Sequence, residues 1–406
     1  MPSGGLDSAR GWRVALAGAV ACGTAFGTVY TFGAFFDAMA DDLDAGRGST
    51  ALVFGVTLFL FFGFGVVSGP VADRFGPRRL VLGGAVLLAS GLALTSRVDN
   101  VQLGYLTYGV GVGLGGGLIV TPMYAVAGGW FVRRRALAMG VVATGNGLGT
   151  LILVPLAERL IDDHGWRTAY VVLAAIDLVV LVCAGLLVLR PPVPPAPPAI
   201  DRMKVVARTP AFQRLFVVGM LFSVSVFIAF GFVVDFARDA GVSASRAALL
   251  VGLIGASSVV GRLGLTAFTG NVPAVRVLQV CLAGQPVAFL LWLLADGNYG
   301  LLIAFAVVLG VAYGGFVALG PEVAAVLFGV VGLGGVMGLM FLSAGLGGLI
   351  GPPLAGWLAD AYDGRVVPIS LALGVSVVAF LLSLGLPADG RQVNVPVGRE
   401  EAALAG

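Results

Sequence analysis

Pro155-Leu-Ala-Glu-Arg-Leu-Ile-Asp-Asp-His-Gly-Trp-Arg167 follows one long apolar run, and Pro353-Leu-Ala-Gly-Trp-Leu-Ala-Asp-Ala-Tyr-Asp-Gly-Arg365 follows another. The two stretches share a proline, two leucines, an alanine, an aspartate and the final arginine at one offset. Such a match at the ends of two apolar runs indicates an internal repeat. A repeat of helical halves is a common architecture of membrane transporters.

The composition around this repeat is that of a membrane protein. The chain has 406 residues, of which 58% are hydrophobic and 11% are charged. Soluble proteins carry about 25% charged residues. Apolar runs of about 20 residues recur from end to end, which predicts an all-α integral membrane protein. A soluble α/β enzyme with many buried strands is the alternative, and the length and number of the runs argue against it.

We predict twelve transmembrane helices in two six-helix halves. The predicted spans are 14–36, 50–70, 79–96, 101–124, 136–158 and 168–189 in the first half, and 214–235, 247–269, 274–295, 299–321, 332–358 and 366–386 in the second. The N-terminal half is therefore 1–189, and a proline-rich cytoplasmic linker, which cannot continue a helix, is 190–213. The C-terminal half is 214–386, and a polar cytoplasmic tail is 387–406.

Basic residues set the predicted orientation. With the N-terminus inside, the cytoplasmic segments hold about twice as many basic residues as the opposite loops. We therefore expect a multi-pass protein of the plasma membrane with both termini cytoplasmic. Lys204 is the only lysine among 24 basic residues, which indicates a prokaryotic source with GC-rich DNA.

Arg262 lies well inside the predicted span 247–269, with no acidic residue within two helical turns. A charge at this depth costs about 2.5–3.5 kcal/mol on insertion scales, so a chain that keeps one usually uses it. A guanidinium donates two parallel hydrogen bonds to a carboxylate and keeps its charge. We predict that Arg262 binds the carboxylate of a transported anion. The structural alternative is an arginine that extends to the inner interface.

The loop between the second and third predicted spans reads Gly69-Pro-Val-Ala-Asp-Arg-Phe-Gly-Pro-Arg-Arg79 and resembles the signature of the major facilitator superfamily. The resemblance implies the twelve-helix major facilitator fold. It also implies that Asp73, Arg74 and Arg78 form a conformational latch, in which the carboxylate accepts from a helix N-terminus and the arginines anchor the cytoplasmic face. The alternative is a charged turn that only sets orientation.

Three further stretches resemble the monocarboxylate transporters and oxalate/formate antiporters of that superfamily. They are 27–36 in the first span, 130–167 around the fifth, and 338–360 in the eleventh. Members of this branch keep an arginine in helix 8 that binds the substrate carboxylate, and Arg262 stands at that place. The resemblance thus implies transport of small organic anions.

Two positions depart from the animal monocarboxylate transporters. Tyr30 stands where many of them have a lysine implicated in proton coupling, and Ser258 stands where they have an aspartate one turn before the arginine. The predicted helix 11 also has no lysine or arginine, whereas oxalate-type antiporters use a cation there for a second carboxylate. One cation favours a monoanion over a dianion.

Other polar side chains lie on helices that line the cavity in this fold. Tyr30, Tyr124, Asn146, Ser258 and Tyr313 are the further candidates for substrate binding, since tyrosine offers an apolar wall with one donor. The alternative is an interfacial tyrosine belt, or polar contacts between packed helices.

Two acids lie close to membrane depth. Asp235, near the outer end of the seventh span, is the candidate for proton coupling, whereas Asp177 lies on a peripheral helix and is predicted to be structural.

We predict a secondary transporter of small monocarboxylates, lactate- or pyruvate-like, that works by alternating access. Moving one negative charge inward against 100 mV costs about 2.3 kcal/mol, so uptake needs a co-transported cation or exchange for another anion. On the resemblance, we expect the cation to be a proton. The alternatives are an anion exchanger of the oxalate/formate type and an efflux antiporter for drugs or hydrophobic solutes, which would leave Arg262 unexplained.

Other classes of function have less support. No nucleophile–base pair lies within the spans, and the cysteines and the one histidine do not have metal-ligand spacing, so we expect neither an enzyme nor a cofactor. A membrane sensor would need an added signalling domain, which the short tail does not offer. We expect a monomer in the lipid bilayer, with no nucleic-acid partner.

Overall fold

The computed structural model describes residues 6–131, 134–192, 200–267, 272–329, 333–362 and 364–387. Within these residues twelve helices are long and apolar enough to cross a membrane, which confirms the predicted number. In the N-terminal half they are α1 (Ala9–Asp42), α2 (Arg47–Gly69), α3 (Pro77–Thr95), α4 (Val101–Trp130), α5 (Leu137–His164) and α6 (Trp166–Leu187). In the C-terminal half they are α7 (Pro210–Asp239), α8 (Ala244–Leu265), α9 (Ala274–Leu293), α10 (Tyr299–Phe328), α11 (Gly335–Tyr362) and α12 (Val366–Ser383).

Several helices are longer than their predicted apolar spans. α7 begins at Pro210 rather than at residue 214, and a short helix, Ile200–Ala207, lies within the predicted linker. Hydropathy marks only the part of a helix within the hydrocarbon core, so polar first and last turns are missed. Proline at the first position of α7 is a favourable start, because its missing N–H would be unpaired there. Residues 193–199 of the linker and 388–406 of the tail lie outside the described residues.

The packing repeats between the halves in the way that the matched sequences predict. α1 packs against α5, α2 against α4, and α3 against α6. The same three contacts recur in the C-terminal half as α7 with α11, α8 with α10, and α9 with α12. Between the halves, α2 packs against α11 and α5 against α8. The interface between the halves is therefore built by two equivalent helix pairs.

Glycines allow α1 and α5 to approach at backbone distance. A Cβ atom added at Gly27 would lie 2.6 Å from the carbonyl oxygen of Gly149, and one added at Gly23 would lie 2.7 Å from that of Gly145. Real Cβ atoms do not come this close to a carbonyl oxygen, so a side chain at either position separates the helices. These close glycine contacts fix the position of α1, which carries Tyr30.

We expect Gly27→Ala to lower the stability of the protein, although alanine is otherwise the better helix former. Overpacking a close helix contact costs about 1–3 kcal/mol. The matched control is Gly83→Ala, because a Cβ atom there meets nothing within 4 Å. Thermal unfolding in detergent measures both variants. An equal melting temperature for the two would contradict the close contact.

Candidate substrate site and outer closure

Arg262 is buried between the halves, with 4% of its surface exposed. Its Nη1 donates a hydrogen bond to the backbone carbonyl of Ala143 on α5, across the interface between the halves. Its Cζ lies 5.9 Å from the centre of the Tyr313 ring. The guanidinium therefore lies in the interior, where a side chain that extended to the membrane surface would not.

Tyr30 and Tyr313 come together beside Arg262, although they are far apart in sequence. Their hydroxyl oxygens are 3.1 Å apart, within hydrogen-bond distance. The ring of Tyr30 stacks on Phe230 with centroids 4.0 Å apart and an angle of 9° between the planes. Phe230 in turn meets Tyr313 edge to face at 5.7 Å. These three rings form an aromatic wall to which α1, α7 and α10 each contribute one residue.

The remaining predicted side chains divide between the site and its surroundings. Asn146 lines the site and donates through Nδ2 to the hydroxyl of Tyr124 at 3.1 Å, so Tyr124 supports Asn146 from behind. Ser258 also lines the site, but its hydroxyl donates to the carbonyl of Gly255 on its own helix at 2.7 Å.

The site is occluded in this conformation. No space between its lining atoms is wide enough for a water molecule. Its lining residues are Tyr30, Asn146, Gly147, Thr150, Phe230, Gly255, Ser258, Arg262 and Tyr313. Five of the six residues predicted to bind substrate are therefore brought together, with Tyr124 behind them.

Four lining residues were not predicted. Phe230 and Thr150 lie in apolar helices among many similar side chains, so neither has a local signal. Gly147 and Gly255 bring α5 and α8 into backbone contact: a Cβ atom at Gly147 would lie 2.5 Å from the Gly255 carbonyl oxygen. The contact fixes the distance between the halves beside Arg262.

Asp235 lies away from the central site. We call the face at which α1 ends and α2 begins the outer face, after the predicted orientation. There, Asp235 of α7 is 1% exposed and forms an ion pair with Arg47 of α2. Arg47 also lies 3.6 Å from the carboxylate of Asp239.

Asp360 joins the halves at the same face. Its carboxylate accepts from the backbone N–H groups of Arg47 and Gly48 at 3.2 and 3.1 Å. These are the first residues of α2, so Asp360 of α11 caps a helix of the other half. Asp360 matches Asp162 in the sequence repeat.

A second charged pair joins the halves at the outer face, but here the C-terminal half supplies the cation and the N-terminal half supplies the acid. Arg238 of α7 lies 3.8 Å from the carboxylate of Glu158 on α5, which is 2% exposed. We call the set Arg47, Glu158, Asp235, Arg238 and Asp360 the outer closure. Of these five residues, only Asp235 was predicted as a functional residue from the sequence. Arg47 had one signal, as the only basic residue among the acids after the first span.

The remaining predicted positions are elsewhere. Asp177 of α6 is fully buried and accepts a hydrogen bond from the hydroxyl of Thr28 on α1 at 2.7 Å. Of the predicted latch, the carbonyl of Arg74 accepts from Nη2 of Arg190 at 3.1 Å, and Arg78 lines the same basic cleft. The side chain of Asp73 lies outside the described part of the chain, so the latch stays a prediction.

Comparisons with known proteins agree with this architecture. The model of the Major Facilitator Superfamily matches residues 18–295 and 215–406. Monocarboxylate transporter 11 of Homo sapiens is 31% identical over 404 residues, which are 95% of this chain and 85% of the relative. Monocarboxylate transporter 3 of Rattus norvegicus is 32% identical over 399 residues, which are 93% of this chain and 80% of the relative.

Solved structures show the same fold. A bacterial homologue of the human lysosomal transporter Spinster, inward-facing and unoccupied, superposes with a TM-score of 0.74 at 15% identity and covers 94% of this chain and 99% of that chain. A variant of the nucleoside transporter NupG gives a TM-score of 0.74 at 14% identity, covering 93% of this chain and 99% of that chain. Both are similar in fold alone.

Proposed function

The chain belongs to the major facilitator superfamily and, within it, to the monocarboxylate transporter family, and from this premise we propose that it carries small monocarboxylate anions across the membrane by alternating access. The observation that carries the proposal is one arginine, buried at the interface of the two halves and next to an aromatic wall. The names of its relatives support the substrate class, and the buried guanidinium of Arg262 supports a carboxylate as its ligand.

Arg262 is proposed to bind the carboxylate. Its Nη1 holds a backbone carbonyl of the opposite half, which is a neutral acceptor. A carboxylate is the stronger acceptor, because both partners of the new bond are charged. A substrate that takes the place of Ala143 would therefore loosen one contact between the halves while it forms another with Arg262.

The aromatic wall suits a small organic acid. Tyr30 and Tyr313 offer two hydroxyl groups within reach of each other, and Phe230 offers an apolar face. A hydroxyl or keto group next to the carboxylate would accept from or donate to the tyrosines, while the methyl end lies against Phe230. Arg262 is the only basic residue among those that line the described site, which favours a monoanion.

In alternating access, the interface between the halves would open at its outer end while it closes at its inner end, and the reverse. The outer closure joins α2 to α7 and α11, and α5 to α7, so it must open for substrate to enter from the outer face. Asp235 is the acid proposed to bind a co-transported proton, because it is buried in this interface next to one cation. A proton that accompanies each anion makes the step electroneutral and removes the cost of about 2.3 kcal/mol per 100 mV.

Uptake into proteoliposomes tests the proposal. We expect labelled lactate and pyruvate to enter, faster and to higher levels with an acidic exterior, and oxalate to enter poorly. Uptake that needs an internal anion and ignores the pH gradient would support exchange of the oxalate/formate type. If hydrophobic cations are expelled and no carboxylate moves, the chain is an efflux antiporter and the proposal fails.

We expect Tyr30→Phe to raise the KM for lactate about two- to tenfold, which corresponds to one hydrogen bond. Tyr105→Phe is the matched control, since it removes a comparable hydroxyl bond, to the carbonyl of Ser49, outside the site. Initial rates of uptake measure both. An equal KM for the two variants would remove Tyr30 from the substrate site.

A further inference from the structure

Glu158 is a buried acid that has no part in the proposed binding of substrate. It lies one turn and a half before the end of α5, outside the residues that line the central site. Within the described part of the chain, neither of its carboxylate oxygens has a hydrogen-bond partner. Buried polar atoms without partners are uncommon in folded proteins and call for an explanation.

The compensation of its charge is weak. Arg238 is its closest cation, at 3.8 Å, which is longer than a hydrogen bond, and the side chain of Arg238 is 38% exposed. A charge in contact with water is screened, so it stabilises a buried partner less. Asp235 differs, because Arg47 contacts it directly.

The other charged groups around Glu158 do not supply a cation. Asp162 on its own helix and Asp37 on α1 act on it, and both are acids. On α6, Arg167 pairs with Asp42. On α8, Arg246 lies 5.7 Å from the centre of the Tyr299 ring.

We propose that Glu158 is a proton-binding site of the outer closure, and that the closure forms more readily when this carboxyl group is neutral. With the outer face open, Glu158 faces water and can ionise at little cost. Closing the face removes it from water, and an ionised, poorly paired carboxylate makes that step expensive. External acid therefore favours closure.

This proton is not the transported one. It binds from the outer side before closure and returns to the same side when the face reopens, so it changes the rate of the cycle and not its driving force. The site is separate from Asp235, which stays the proposed acid for the co-transported proton. The inference rests on the proposed function only in that one of its readouts is monocarboxylate exchange.

Variants of Glu158 and of Arg238 distinguish a proton-binding site from an ion pair that only holds the two halves together. Glu158→Gln keeps the residue neutral, so closure no longer depends on protonation at position 158. Arg238→Gln removes the one cation that pairs with Glu158 among the described residues, so burying ionised Glu158 becomes harder. If the ion pair only held the halves together, both variants would lose the same contact, and their exchange rates would change in the same direction. If Glu158 is a proton site, the exchange rates of the two variants change in opposite directions at alkaline pH.

The experiment is exchange of labelled lactate at equal pH on both sides, between about pH 5.5 and pH 8.5, where no proton gradient drives transport. At the alkaline end we expect Glu158→Gln to exchange about three- to tenfold faster than the parent and Arg238→Gln about threefold slower, and both differences to shrink toward the acid end. Glu158→Asp keeps the carboxyl group and is expected to keep the parental profile. A parental profile in Glu158→Gln, or shifts of one sign in both variants, overturns the inference.

Thermal unfolding without substrate gives the second readout. Glu158→Gln is expected to unfold at a higher temperature than the parent at about pH 8, with a smaller difference at about pH 5.5, and Arg238→Gln at a lower temperature at about pH 8 only. If the parent exchanges no monocarboxylate, the proposed function fails and the unfolding series still decides about Glu158. If the parent exchanges lactate and the variants follow it at every pH, only the inference fails.

Discussion

Arg262→Gln is expected to lower kcat/KM for monocarboxylate transport in proteoliposomes by about 30-fold to several thousand-fold, with a small residual uptake. Removing one member of a buried, hydrogen-bonded charge pair costs about 2–5 kcal/mol, which is roughly 30-fold to several thousand-fold. In the proposed complex the substrate carboxylate supplies the other member. The close contact between Gly147 and Gly255 does not involve residue 262, so the packing between α5 and α8 is retained.

The control is Arg276→Gln, which removes an exposed arginine at the start of α9. It is expected to transport like the parent. Arg262→Lys keeps the charge but loses the planar fork, so we expect an intermediate loss, mostly in KM. If both Arg262 variants transport as well as Arg276→Gln, Arg262 does not bind the carboxylate.

Arg47→Gln is expected to have the second largest effect, on stability as well as on transport. It leaves the carboxylate of Asp235 buried beside Asp239 and without its cation. Removing one partner of a buried ion pair typically costs about 3–5 kcal/mol, because the other charge stays buried without compensation. The double variant Arg47→Gln/Asp235→Asn removes both charges, so we expect it to unfold at a higher temperature than Arg47→Gln alone. Thermal unfolding of the two single variants and the double variant measures this coupling.

Asp42→Asn provides the matched control for a charge pair. Arg167 pairs with Asp42 at 2.6 Å on the same face, but both side chains are exposed to more than two fifths. Exposed pairs contribute about 0–1 kcal/mol, so this variant is expected to unfold near the parental temperature. An Arg47→Gln variant no less stable than Asp42→Asn would contradict the buried pair, as would additive effects in the double variant.

The fold could be predicted because its signals are local. Apolar runs of membrane length mark each helix, and the matched stretches that begin at Pro155 and Pro353 mark equivalent helices of the two halves. The helix ends were less well predicted. α1 continues to Asp42 and α7 to Asp239, because polar turns outside the hydrocarbon core have no hydropathy signal.

The central site could be predicted in part, for a different reason. Arg262 stands out because a charge in an apolar helix is rare, and tyrosines stand out among leucines and valines. Their contact is not local: Tyr30 and Tyr313 are 283 positions apart and meet only because the halves pack together. Phe230, which stacks between them, has nothing to distinguish it from the other phenylalanines of α7.

The outer closure was largely missed, because each member is ordinary in its own segment. Glu158 lies at the end of a predicted span, where an acid is expected, and Arg47 lies in a polar loop. Only the interface between the halves buries them. Among the predicted positions, Ser258 is instructive. It replaces the acid that the resemblance places before Arg262, and the guanidinium is instead held by the carbonyl of Ala143 and the ring of Tyr313.

The most direct test of the account compares a carboxylate with its neutral isostere. Pyruvate and its amide have nearly the same shape, and only pyruvate carries the charge that Arg262 is proposed to bind. Competition against labelled pyruvate uptake gives the apparent affinity of each compound. For the parent we predict that pyruvate binds at least about 30-fold more tightly than the amide. For Arg262→Gln we predict that the two compounds bind with affinities that differ by only a few-fold. If the variant takes up pyruvate and keeps the parental preference, the charge of the substrate is recognised elsewhere and Arg262 is not the anion site.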